Sequence, residues 1–182
     1  MALSRDHRNV GVLAMCQALI MSGMSMQLIL SGLVGASIAE DKALATLPIS
    51  VVIIAATMAT IPASLLMKRF GRRAGFLMGS IIGLTGATIA SYALTISSFW
   101  LFCAGMFVFG LNGGFTQYFR FAAADAVPVH FKSRAISWVI SGGIIAAILG
   151  PEIAKRTHDL VGDTPFLGSY IALAGLVISV MT

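Results

Sequence analysis

Charged residues are missing from long stretches of this chain. Asn9–Ala39 runs for 31 residues without Asp, Glu, Lys or Arg, and Ala74–Phe119 for 46. Shorter charge-free runs cover Ala43–Met67, Ala135–Pro151 and Thr164–Thr182. A domain folded in water carries roughly 25% charged residues. These 182 residues carry 10%, with 58% hydrophobic. A single aqueous core cannot bury that much apolar side chain, so hydrocarbon must solvate much of it. A spanning helix needs about 20 residues rising 1.5 Å each, so the longest run holds two helices. The polar patch Thr95, Ile96, Ser97 and Ser98 supplies the turn between them. The predicted fold class is therefore an all-α membrane protein, a bundle of about six transmembrane helices forming one domain over residues 1–182. The helices fall near 10–34, 43–67, 74–94, 99–121, 135–153 and 166–182, the last opened by Pro165, a residue suited to a first helical turn. That last run meets no polar flank, which predicts a chain continuing past Thr182.

The basic residues set the orientation. Arg5, Arg8, Lys68, Arg69, Arg72, Arg73, Arg120, Lys132 and Arg134 fall on one side of the predicted bundle, and Lys42, Lys155 and Arg156 on the other. Nine against three places the N-terminus in the cytoplasm of a multi-pass protein of an inner, cytoplasmic-type membrane. A net charge of +5 distributed in this way is an orientation signal and excludes nucleic acid as the expected partner. The 31-residue first run is too long for the core of a signal peptide. His7, His130 and His158 lie in loops or tails, and no His, Cys or acidic cluster has ligand spacing. The chain is thus expected to be no enzyme, with no cofactor and no metal. Cys16 and Cys103 lie within apolar runs as buried thiols.

Small residues recur with helical spacing. Gly71, Gly75, Gly79, Gly83 and Ala87 form a ridge at every fourth position, as do Ala56, Thr60 and Ser64, and Gly110 with Gly114. In lipid such ridges let helix backbones approach closely, so they predict helix–helix seams.

The loop between the second and third predicted helices, Ser64 to Arg73, reads Ser-Leu-Leu-Met-Lys-Arg-Phe-Gly-Arg-Arg. It resembles the cytoplasmic signature of the major facilitator superfamily, Gly-x-x-x-Asp-Arg-x-Gly-Arg-Arg/Lys, found in the same loop. Arg69, Gly71, Arg72 and Arg73 match, Ser64 stands for the first Gly, and Lys68 stands where the family has Asp. Gly150-Pro151 is similar to the Gly-Pro pair that ends the family's fifth helix. Asp125, Pro128, Lys132 and Arg134 resemble its connection into that helix. Aligned on Gly110, the family's helix 4 motif puts Met106 where an Arg is the rule. The resemblance implies the N-terminal half of a twelve-helix fold, with a solute cavity shared between two six-helix halves that rock by alternating access. It also implies a cytoplasmic gating role for Arg69, Gly71, Arg72, Arg73, Asp125 and Arg134.

Candidate solute contacts follow from polar side chains placed in apolar helices, where they cost energy unless they face a cavity or a partner. Asn112, Thr116 and Arg120 recur at four-residue spacing within roughly an 80° arc. Gln17, Met24 and Ser31 share roughly a 40° arc of the first helix, with Gln27 beside it. In the resembled family these two helices line the cavity, which makes Gln17, Gln27, Asn112, Thr116 and Arg120 the expected substrate-binding set. Interhelical hydrogen bonding is the competing reading. Glu152 borders the end of the fifth span and is either a proton carrier or the partner of a nearby base. The expected function is secondary active transport of a small solute, driven by a solute gradient or by a coupling proton, with membrane lipid and a second six-helix half in cis as partners. Two alternatives stand beside it: a six-helix half-transporter or pore that works as a homodimer, and a non-transporting membrane scaffold or assembly factor.

Overall fold

The computed structural model describes residues 2–118, 132–157 and 166–181, and within these it leaves aside the side chains of 2–10, 12–14, 16, 17, 132–136, 138, 139, 145 and 179–181. Six α-helices occur among the described residues, with no strand: α1 (Ala2–Ile38), α2 (Leu47–Phe70), α3 (Arg72–Thr95), α4 (Phe99–Thr116), α5 (Lys132–Thr157) and α6 (Leu167–Met181). Four segments are long and apolar enough to cross a membrane, namely Ala18–Ile38, Lys42–Phe70, Arg72–Thr95 and Phe99–Thr116. The molecule is a multi-pass membrane protein.

Local chemistry sets the helix ends. A 3-10 turn, Lys42–Leu44, follows α1, with Asp41 accepting the Ala43 N–H at 2.9 Å through its side chain. It delays α2 to Leu47, beyond the expected start near 43, and Pro48 then sits in the first turn, where its missing N–H costs nothing. Gly71 alone separates α2 from α3, at φ 84° and ψ 161°, a conformation essentially reserved for glycine. Ser97 makes the next corner at φ 50°, inside the polar patch that predicts it. The α4 helix ends at Thr116, short of the expected 121; glycines at 113 and 114 weaken its last turn.

Packing follows the small residues. The α4 helix lies between α2 and α3, α1 runs along α5, and α6 bridges α3 and α1. Two-thirds of the apolar window of α4 is buried, 67%, against 17% for α2. The α3 ridge is buried from Gly75 through Gly79 and Gly83 to Ala87, while Gly71 is its exposed end. A Cβ at Gly79 would meet Phe115 at 2.8 Å, and one at Gly86 would run into the Phe109 backbone. On the other side of α4, a Cβ at Gly110 would come within 2.6 Å of the Val52 carbonyl oxygen, and one at Gly114 within 2.6 Å of the Ala59 Cβ. Gly150 lets α5 close on α1, where a Cβ would come within 2.6 Å of the Ser22 carbonyl oxygen. Each contact brings backbones within van der Waals range, the interaction that holds helices together when lipid is as apolar as Leu.

Hydroxyls on the exposed faces bond within their own helices. Thr57 donates to the Ile53 carbonyl at 2.9 Å, Thr85 to Ile81 at 2.8 Å and Thr88 to Thr85 at 2.8 Å. Such back-bonding leaves no polar hydrogen facing hydrocarbon.

Candidate functional site

A cleft of about 180 Å³ opens where α1, α2 and α4 converge. Met24, Gln27 and Leu28 of α1 form one wall, Val52 and Ala56 of α2 the other, and Phe109, Gly110 and Gly113 of α4 the base. At this base Gly110 and Gly113 let α4 close on Val52, Ala55 and Ala56 of α2. Among the described residues, no charged group lines the cleft and Gln27 is its one amide.

Gln27 is 2% exposed. Its Nε2 donates to the Met106 sulfur at 3.4 Å, and the same sulfur accepts the Tyr170 hydroxyl at 3.7 Å. Tyr170 is itself held edge-on to Phe102, with ring centroids 5.7 Å apart. One soft acceptor thus ties α1, α4 and α6 together at the position where the resembled helix 4 motif carries Arg. The sulfur is a weak acceptor, and among the described residues Oε1 and the second N–H of Gln27 have no partner.

Asn112 does not share the cleft. Its amide lies over Gly79 and Gly83 of α3, 3.2 and 2.9 Å from where their Cβ atoms would be. It lines a second, much smaller cavity of about 10 Å³ with Ser80, Gly23 and Leu176, room for roughly one water molecule. Among the described residues, neither the Asn112 amide nor the Ser80 hydroxyl has a hydrogen-bond partner. Phe109 borders both cavities and separates them. Thr116 is buried and donates to the Asn112 carbonyl at 3.1 Å within its own helix. Of the expected solute contacts, the structure therefore brings Gln27 to the cleft and turns Asn112 toward α3. The Gln17 side chain and Arg120 lie outside the described residues.

At the turn between α2 and α3, Lys68, Arg69, Gly71, Arg72 and Arg73 are all exposed. The Arg69 guanidinium stands over the Phe70 ring, 5.3 Å from its centroid. Asp125 and the Arg134 side chain lie outside the described residues. Glu152 accepts from Arg156 Nε at 2.8 Å, one turn apart on α5 and open to solvent. That is the geometry of an exposed ion pair. Sequence reasoning missed Met106 and Tyr170 as partners of Gln27, because a thioether and a phenol in an apolar run carry no polar signal of their own.

The family profile described as "Major Facilitator Superfamily" matches residues 13–182. The chain belongs to that superfamily. Among its facilitator relatives, a riboflavin transporter of Brucella anthropi, RfnT, is 39% identical over 169 residues, covering 93% of this chain and 42% of that protein. Two uncharacterized MFS-type transporters of Bacillus subtilis lie further away. YddS is 24% identical over 80% of the chain and 36% of its own length. YdeG is 23% identical over 96% of the chain and 43% of its own length. The chain thus spans about two-fifths of the length of the curated relatives it matches. No solved structure matches the chain significantly.

Proposed function

We propose that this chain is the N-terminal six-helix half of a secondary active transporter, moving riboflavin or a closely similar flavin across a cytoplasmic membrane by alternating access. The observation that carries the substrate is the 39% identity to the riboflavin transporter RfnT, sustained over 93% of the chain. The cleft supports it. Its lining is uncharged and largely apolar with one buried amide, which suits a neutral, planar heterocycle and offers nothing to an ion.

The second half lies in cis, since the matched stretch makes up less than half of each relative. It covers the cleft and the apolar faces left open on α2 and α5, where Ile53, Ile61, Ile144 and Ile148 are more than half exposed. The N-terminus is cytoplasmic, and the basic turn of Arg69, Gly71, Arg72 and Arg73, with Asp125 and Arg134, grips the cytoplasmic end as the halves rock. Gln27 contacts the solute directly, and Gln17 and Arg120 complete the proposed set of solute contacts. Asn112 and Thr116 stand behind it and hold α4 against its neighbours. Glu152 serves as the partner of Arg156.

Uptake of radiolabelled riboflavin tests the reading. Bacteria lacking their own riboflavin importer, expressing the complete transporter, should accumulate label well above the vector control, and excess unlabelled riboflavin should abolish it. Background uptake with the protein present in the membrane would contradict it.

A further inference from the structure

We infer that a single water molecule is built into the seam between α3 and α4, bridging the side chains of Asn112 and Ser80. The site lies apart from the cleft and does not depend on which solute is carried.

Two buried polar groups meet there without a bond to the protein. Asn112 is 7% exposed and Ser80 6%. Hydroxyls elsewhere in the bundle are satisfied within their own helix. Ser22 donates to the Ala18 carbonyl, Thr85 to Ile81 and Ser91 to Ala87, each at 2.8 Å. Ser80 shares α3 with Thr85 and Ser91, yet among the described residues its hydroxyl makes no such bond. The Asn112 amide is likewise without a partner there, although the Asn112 carbonyl accepts from Thr116. It rests against Gly79 and Gly83, which have no side chain to answer it. A buried donor or acceptor left unmade is costly, and folded proteins satisfy nearly all such groups from the protein or from ordered water.

Both side chains line the same cavity, about 10 Å³, which admits one water and no larger molecule. Its other walls are the apolar Leu19, Ile20, Phe109, Leu176 and Val177, with Gly23 between them. Water both donates and accepts, which matches an amide oxygen, an amide N–H and a hydroxyl free to turn either way. A cation matches poorly. Among the described residues no carboxylate lines the cavity, and an unpaired charge in an apolar setting costs far more than a neutral molecule. Phe109, itself 2% exposed, stands between this site and the cleft. The water thus supplies the polar tie across a seam that glycines bring together and do not bond.

The sign of a stability change separates a bridged pair from a stranded one. Removing one end of a bridge leaves the other unsatisfied, whereas removing a hydroxyl that was never satisfied relieves a penalty. Ser80→Ala should therefore lower the unfolding midpoint of the complete transporter in detergent by a few degrees. In an Asn112→Leu background, where the other end is already apolar, the same substitution should leave the midpoint unchanged or raise it. A midpoint that Ser80→Ala leaves unchanged or raises in the unmutated background, or lowers equally in both, overturns the inference. A map of the complete transporter fine enough to show waters reads the site directly, even if Asn112→Leu does not reach the membrane. One peak within hydrogen-bond reach of both side chains is expected. A direct bond between Asn112 and Ser80, a cavity with no peak, or a peak that strengthens when thallium(I) replaces sodium overturns it.

Discussion

At the scale of single residues, the glycines divide into those that hold backbones together and those that do not. Gly86 packs against the Phe109 backbone, whereas a Cβ at Gly143 meets nothing within 4 Å. Gly86→Ala should therefore destabilise the bundle by about 1–3 kcal/mol through overpacking. Gly143→Ala should be neutral or stabilising, by up to about 1 kcal/mol, since it removes the entropic cost of a helical glycine. Thermal unfolding of both variants in detergent checks the pair; equal midpoints would mean that α3 and α4 do not approach as described. The sequence makes the ridge legible because a four-residue period survives without knowledge of the partner helix. Facing is harder to read. Asn112 and Thr116 are correctly placed relative to each other on α4, but that helix is buried nearly all round, so no polar face marks which side meets a cavity. The contact of Asn112 with Gly79 and Gly83 emerges only once α3 is set beside it. Likewise, Gln27 is visible as an amide in an apolar run, while its tie to Met106 spans 79 positions along the chain.

Among the elements, the corner between α2 and α3 is the tightest turn described. One residue turns the chain, at φ 84° and ψ 161°. Any side chain there meets backbone strain of about 1–3 kcal/mol, so Gly71→Ala should lower the unfolding midpoint even though there is open space around the Cβ. An unchanged midpoint would show that the turn relaxes. The sequence announces this corner through the motif that contains Gly71, and the corner at Ser97 through a polar patch between apolar runs. Helix ends were less legible. The 3-10 turn after Asp41 and the early end of α4 depend on local caps and paired glycines, which charge-free runs alone do not resolve.

For the molecule as a whole, the proposed transport makes the convergence of α1, α2 and α4 one wall of a water-filled solute path rather than a lipid-facing groove. A single cysteine at Leu28, which is 48% exposed and lines the cleft, tests this in the complete transporter with Cys16 and Cys103 replaced by Ser. Only a thiol in contact with water ionises and reacts, so a membrane-impermeant maleimide distinguishes the two environments. The account predicts labelling of Leu28→Cys from either side of the membrane, slowed by riboflavin, with no labelling of Ile81→Cys on the exposed apolar face of α3. Leu28→Cys that stays as inert as Ile81→Cys from both sides, in a transporter still active for uptake, would contradict it.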